Sequence, residues 1–203
     1  FVKTTFNAGL VSTFMPPIGT TVAVIDLATG ERSVTELELP DGGRFTPHTV
    51  YPDPDGFWAI NRGNVFTRWE GGEVVDRFEL GGTWNGGTRL GDLYGYAWTD
   101  ADGNDVASLI DLGPGRGDVL YTVPVAGSLE AHPTGDGDLL VMDEAGRLYR
   151  FDADGEPVGD MPTQAGTVSW ITLDPVSGTL AVATSSGVVT IIDPETGETE
   201  TLP

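Results

Sequence analysis

The sequence predicts an all-β fold assembled from repeats, and three observations predict it. Gly and Pro make up 29 and 14 of the 203 residues, and the longest stretch free of both runs only from Thr20 to Thr29. An isolated helix needs about 12–15 residues to be even marginal, and Gly and Pro make the poorest helix interiors. Short strands joined by tight turns remain. Second, the phrase DLATGE at Asp26 returns as DPETGE at Asp193, each after a short apolar run, TVAVI and VVTII. Third, the glycine of this turn falls at Gly30, Gly72, Gly155 and Gly197, at spacings of 42, 83 and 42 residues. LGPGRGD (Leu112–Asp118) supplies the copy missing from the middle, with Gly113 or Gly115 at the turn.

Each repeat reads as four strands, a to d. The c strands are TVAVIDL, NVFTRWE, NDVASLIDL, RLYRFDA and VVTIIDP. Each leads through the glycine turn into a d strand: SVTELEL, EVVDRFEL, DVLYTVPV, EPVGDM and ETETL. Upstream lie the b strands FWAIN, LYGYAWT, DLLVMD and TLAVATS, reached through turns such as PDPDG, TGDG and PVSG. The a strands before them are TPHTVYP, SLEAHP and VSWITLD. Four strands per roughly 40 residues is the period of a propeller blade. The expected fold is therefore a β-propeller of five four-stranded blades of about 41 residues, or a five-blade portion of a larger ring. The blades fall at roughly 1–40, 41–80, 81–125, 126–162 and 163–203 of one domain, 1–203. Superposing Asp26 on Asp193 sets Phe1 opposite Val168, so the chain begins at strand a and ends at strand d.

The formal net charge of −21 comes from 31 acidic and 10 basic residues. Such a field repels a phosphate backbone, so nucleic acid is excluded as a partner. No apolar run approaches the roughly 18 residues of a membrane span, and no signal segment opens the chain. There is no Cys, hence no disulfide or thiolate-held metal. A chain opening with Phe1 reads as a processed protein, a fragment or an excised domain. Compartment and oligomeric state stay open.

The stretches GTLAVATSSGVVTIIDPETGE (Gly178–Glu198) and TVAVIDLATGE (Thr21–Glu31) resemble bacterial members of the WD40-like propeller superfamily, including the YVTN and quinoprotein-like types. The chain lacks the Gly-His and Trp-Asp dipeptides of true WD40 repeats. PHTVYPDPDGFWAIN (Pro47–Asn61) is similar to blades of NHL and streptogramin-lyase propellers. This resemblance implies fold and leaves two functional classes. One is a non-enzymatic binding or scaffolding propeller, a protein-interaction or sensor domain. The alternative is a lyase-like or quinoprotein-like propeller enzyme, or a fragment of one. The lyase resemblance implies His and Glu in later blades, and no histidine lies beyond His132.

No catalytic residue, metal site or cofactor is expected. His48 and His132 stand two blades apart, but aligning YPDPDGF with HPTGDGD sets His132 opposite Tyr51, so the two are not equivalent. DADGND (Asp100–Asp105) has alternating Asx residues like a calcium loop, yet lacks the closing Glu. The same DADG at Asp152–Gly155 favours a plain turn. Trp58, Trp69, Trp98 and Trp170 fall on strands and are expected to pack between blades. In a propeller the b–c and d–a loops share one face. The b–c loops are residues 15–19, 61–64, 99–105, 143–146 and 185–187; the d–a loops are 40–45, 81–87, 126–128 and 163–166. Against the acidic background Arg44, Arg62 and Trp84 stand out on blades 2 and 3, residue types that often carry interface energy. They are the expected binding face, clustered, for a protein or anionic small-molecule partner.

Overall fold

The computed structural model describes residues 10–13, 21–26, 30–53, 55–113, 117–159, 168–174, 178–194 and 196–202. Among these residues there are eighteen strands and no helix. Every sheet is antiparallel and drawn from consecutive strands, as a chain punctuated by turn residues every few positions dictates. The first sheet holds β1 (Leu10–Thr13), β2 (Thr21–Asp26) and β3 (Arg32–Glu36). The second holds β4 (Thr49–Asp53), β5 (Gly56–Ile60), β6 (Val65–Glu70) and β7 (Glu73–Glu79). The third holds β8 (Thr83–Leu90), β9 (Leu93–Thr99), β10 (Asp105–Asp111) and β11 (Asp118–Pro124). The fourth holds β12 (Ser128–Pro133), β13 (Leu139–Asp143) and β14 (Leu148–Phe151). The fifth holds β15 (Val168–Leu173), β16 (Leu180–Thr184), β17 (Val189–Ile192) and β18 (Thr199–Leu202). Five sheets from five repeats, in chain order, make the fold an all-β propeller.

Three expectations need correction. GGTWNGG was expected as a loop between blades, but Thr83–Leu90 is strand β8, which pairs with β9 along its length. Its glycines serve packing: a Cβ on Gly86 would meet the carbonyl oxygen and side chain of Leu129 and Glu130 on β12. EPVGDM was expected as a d strand, yet among the described residues it contributes only the bridge Phe151–Pro157. Pro157 has no N–H to extend a ladder, and Gly159 turns away at φ 52°. Trp170 was expected to pack between blades, but it is 63% exposed. The a strand of the first repeat and the loops at 15–19 and 163–166 lie outside the described residues.

The chain divides into two compact units, Phe1–Gly81 with Pro114–Gly117, and Gly82–Gly113 with Asp118–Pro203. In the first, Val22, Leu37 and Phe45 pack against Val50, Phe57, Ala59, Val65 and Trp69, one face of the second sheet. The Trp69 ring stacks on Phe57 at 6.3 Å between centroids. In the second unit, Ala97, Ala107, Leu109 and Val123 of the third sheet meet Ala131, Leu139, Val141 and Phe151 of the fourth. The opposite face of the fourth, Leu140, Met142 and Leu148, meets Ile171, Leu173, Leu180, Val182 and Ile192 of the fifth. Period-2 alternation thus gives a middle blade two buried faces, each covered by a neighbour.

Candidate binding face

Arg44 lies on a tight hairpin that follows β3. Phe45 N donates to Leu37 O at 3.1 Å, Leu39 N to Gly43 O at 2.8 Å, and Gly43 N to the Asp41 carboxylate at 2.9 Å. Leu37 and Phe45 are buried and anchor the hairpin, while Arg44, paired across it with Glu38, is exposed. The chain then runs into β4, where His48 N donates to Ile60 O at 2.6 Å.

Ile60 is also where the β5–β6 turn begins, and that turn carries Arg62. Asn61 organises it: its side-chain oxygen accepts from Gly63 N at 2.9 Å and Val65 N at 3.0 Å. Asn64 takes the left-handed conformation at φ 56° and donates its side-chain amide to Gly81 O at 2.6 Å. An Asx residue tolerates that φ where a branched one would not. Arg62 is left exposed at the tip. Glu38 faces Arg44 through the backbone bridge alone, and among the described residues Arg44 and Arg62, like Arg32 and Arg77, form no ion pair, whereas Arg68, Arg89, Arg147 and Arg150 each do.

Trp84 lies in the second unit, half-buried on β8 opposite Trp98. The Trp98 indole N–H donates to Ser108 Oγ at 3.0 Å. At the same end of this sheet Thr99 Oγ1 donates to Asp105 at 2.9 Å, and Gly127 N reaches the other oxygen of Asp105 at 2.9 Å. Asn85 completes the tie between third and fourth sheets by donating to Ser128 O at 3.2 Å. The expected cluster of Arg44, Arg62 and Trp84 therefore draws on both units: the two arginines on exposed turns of the first, the tryptophan on a strand of the second.

The DADGND stretch is a turn. One oxygen of Asp100 accepts from Asn104 N at 2.8 Å and Asp102 N at 2.9 Å, and Asn104 Nδ2 donates to the other at 3.1 Å. These bonds, from Asn104 first, hold the Asp100 carboxyl below its ordinary value. Asp152 repeats the geometry, accepting from Asp154 N at 3.0 Å and Glu156 N at 2.9 Å. Among the described residues no group of three or more His, Cys, Asp or Glu is placed to hold a metal.

His132 is 1% exposed, with Nε2 3.0 Å from Glu130. One polar group escaped sequence reasoning altogether. Arg68, 3% exposed on β6, bonds Asp53 at 2.8 Å and also pairs with Glu70. The signal was available: Phe66, Arg68 and Glu70 alternate along one face of NVFTRWE, the face whose Phe66 and Phe78 rings stack at 4.6 Å.

No family profile and no curated protein matches this chain. Solved structures do. The computationally designed Ika8 protein matches with a TM-score of 0.68 at 12% identity, over 98% of this chain and 60% of that one. BamB from Moraxella catarrhalis matches with a TM-score of 0.57 at 20% identity, over 76% of this chain and 47% of that one. The chain thus spans less than two thirds of either structure. At these identities the likeness establishes the β-propeller fold and nothing about activity.

Proposed function

We propose that the chain is a non-enzymatic binding or scaffolding propeller, a protein-interaction or sensor domain. Its partner is a protein or anionic small molecule received by Arg44 and Arg62. The observation that carries this reading is the exposure on turns of Arg44 and Arg62, neither in an ion pair among the described residues, in a chain of net charge −21. A planar guanidinium presents a fork of donors to carboxylate or phosphate, and a local positive site steers an acidic partner that the rest of the surface repels. Burial of His132 weighs against the lyase-like alternative.

The test is the double change Arg44→Glu with Arg62→Glu in the immobilised chain, with captured proteins and anions quantified against the parent. Arg32→Glu with Arg77→Glu alters net charge equally on the outer strands β3 and β7 and serves as control. The first pair should cut capture about tenfold, the loss of about 1.4 kcal/mol, and the control should retain it. Exposed substitutions such as these should leave the melting temperature within about 2 °C. Equal capture by the parent and the Arg44/Arg62 variant would reject the site.

A further inference from the structure

Strand alternation gives the second sheet two different faces. Val50, Phe57, Ala59, Val65 and Trp69 lie against the first sheet. The opposite face carries the cross-strand row Tyr51, Trp58, Arg68, Asp76 and, beside it, Ile60, Phe66, Phe78. Trp58 and Phe66 are fully buried there. The Phe78 ring stacks on Phe66 at 4.6 Å, and Trp58 meets Phe78 edge-on at 5.9 Å between centroids.

A residue of the third repeat closes on these rings. Only Gly71 and Gly72 separate β6 from β7, whereas residues 112–117 separate β10 from β11. Pro114–Gly117 group with the first unit, although the residues on either side belong to the second. Gly117 is buried, and its N–H donates to Asp76 Oδ2 at 2.7 Å across 41 positions of sequence. The other oxygen, Oδ1, accepts from Arg77 N at 2.8 Å. Both carboxylate oxygens thus hold main-chain amides, and a charged acceptor makes such bonds stronger than a neutral one. Packing also demands glycine here. A Cβ at 117 would overlap Cε1 of Phe78 and stand 2.7 Å from Cη2 of Trp58. These rings pack on each other and on Phe66, so neither swings aside freely.

We infer that the turn between β10 and β11 is a clasp for the second blade, with Gly117 seated on Trp58 and Phe78 and Asp76 as its catch. Gly117 lies outside the β10–β11 and β6–β7 ladders, so the clasp opens by breaking one bond to a side chain and unpairs no strand. Opening uncovers the edges of Trp58 and Phe78. It also frees the peptide bond to which the held N–H belongs, Arg116–Gly117. That bond follows an arginine, so the clasp guards a tryptic site.

Two measurements on the intact chain test this. Hydrogen exchange of the Gly117 amide, followed by nuclear magnetic resonance, reads the catch directly. In the parent this amide should be protected, yet its exchange should respond far less to low urea than that of Leu109 and Ile110 in β10, because a local opening exposes little surface. Asn offers one acceptor oxygen where Asp76 uses two, so Asp76→Asn should speed Gly117 exchange about tenfold or more. Gly117→Ala should have the same effect on residue 117 with the carboxylate intact. Asp118→Asn removes the same charge one position further along and should leave the parent rate. The second measurement is trypsin cleavage mapped by mass spectrometry: the Arg116–Gly117 cut should accelerate in both clasp variants and stay at the parent rate in Asp118→Asn. The inference is overturned if the parent's Gly117 amide exchanges as an unprotected one, or if it follows the urea dependence of β10, since the turn would then open only with the whole sheet. It is equally overturned if Asp76→Asn leaves Gly117 exchange and the Arg116–Gly117 cut unchanged.

Discussion

Replacing Gly95 by Ala places one methyl group where the third sheet meets the fourth. A Cβ at this position would stand 2.7 Å from Ala131 O, 2.8 Å from its carbonyl carbon and 2.9 Å from His132 N. All three are backbone atoms of β12, so no side-chain rotation relieves the contact. Ordinary contact begins near 3.4 Å, so β12 has to retreat by about 0.7 Å, opening a gap along an interface packed at crystal-like density. The retreat loosens Ala97, Ala107 and Leu109 from Leu139, Val141 and Phe151. Overpacking costs about 1–3 kcal/mol, and a rigid obstacle argues for the upper end. At about 2–4 °C per kcal/mol for a chain of this size, the melting temperature should drop by about 6–12 °C. Gly135 is the control, with nothing within 4 Å of its would-be Cβ, and Gly135→Ala should change little. Thermal melts followed by circular dichroism, supported by urea titration, measure both. A Gly95→Ala protein that melts within 2 °C of the Gly135→Ala protein would refute the backbone-on-backbone contact between these blades.

Further changes probe other parts of the structure. Arg68→Met strands the buried Asp53 carboxylate and should cost about 3–5 kcal/mol in urea unfolding, while adding Asp53→Asn should recover much of it; a single-variant cost under about 1 kcal/mol would show the pair to be solvated. Asn64→Ala should destabilise more than Asn64→Gly by about 1 kcal/mol, because both lose the bond to Gly81 O but only Ala resists the left-handed backbone; equal losses would put the whole effect in the hydrogen bond. Burial, then Asp138 and Asp152, pushes the Tyr121 hydroxyl above its ordinary value of 10.0. The folded chain keeps that proton where the unfolded chain releases it, so stability present below pH 10 falls as pH rises beyond it. Tyr121→Phe should flatten this alkaline loss in melts across that range, and an unchanged slope would place its origin elsewhere.

Much of the fold was legible because turn chemistry and alternation act locally. Gly72, Gly155 and Gly197 adopt positive φ in turns after c strands, where the repeat set them, and the alternation of DVASLID gave β10 its two buried faces. What escaped depends on neighbours distant in sequence. The glycines of GGTWNGG signal a loop by composition, yet Gly86 is small because β12 crosses it closely. Trp170 has the character of a core residue, yet it is exposed on its strand. Arg68 is charged but buried because Asp53, fifteen residues away, lies within its reach. Of the candidate site, the exposure of Arg44 and Arg62 followed from turn residues around them, Asp41 and Asn61. Trp84 was misplaced by the same glycines that concealed β8.

The pairing of strands within five separate sheets is tested most directly by cross-strand nuclear Overhauser effects in the isotopically labelled chain. The structure predicts effects between Tyr51 and Trp58, Ala97 and Ala107, Val141 and Tyr149, and Ala183 and Val189. No main-chain pairing should join the described strands of one sheet to those of another. Effects showing β8 unpaired with β9, or a strand of one repeat laddered onto a strand of the next, would contradict the blade architecture.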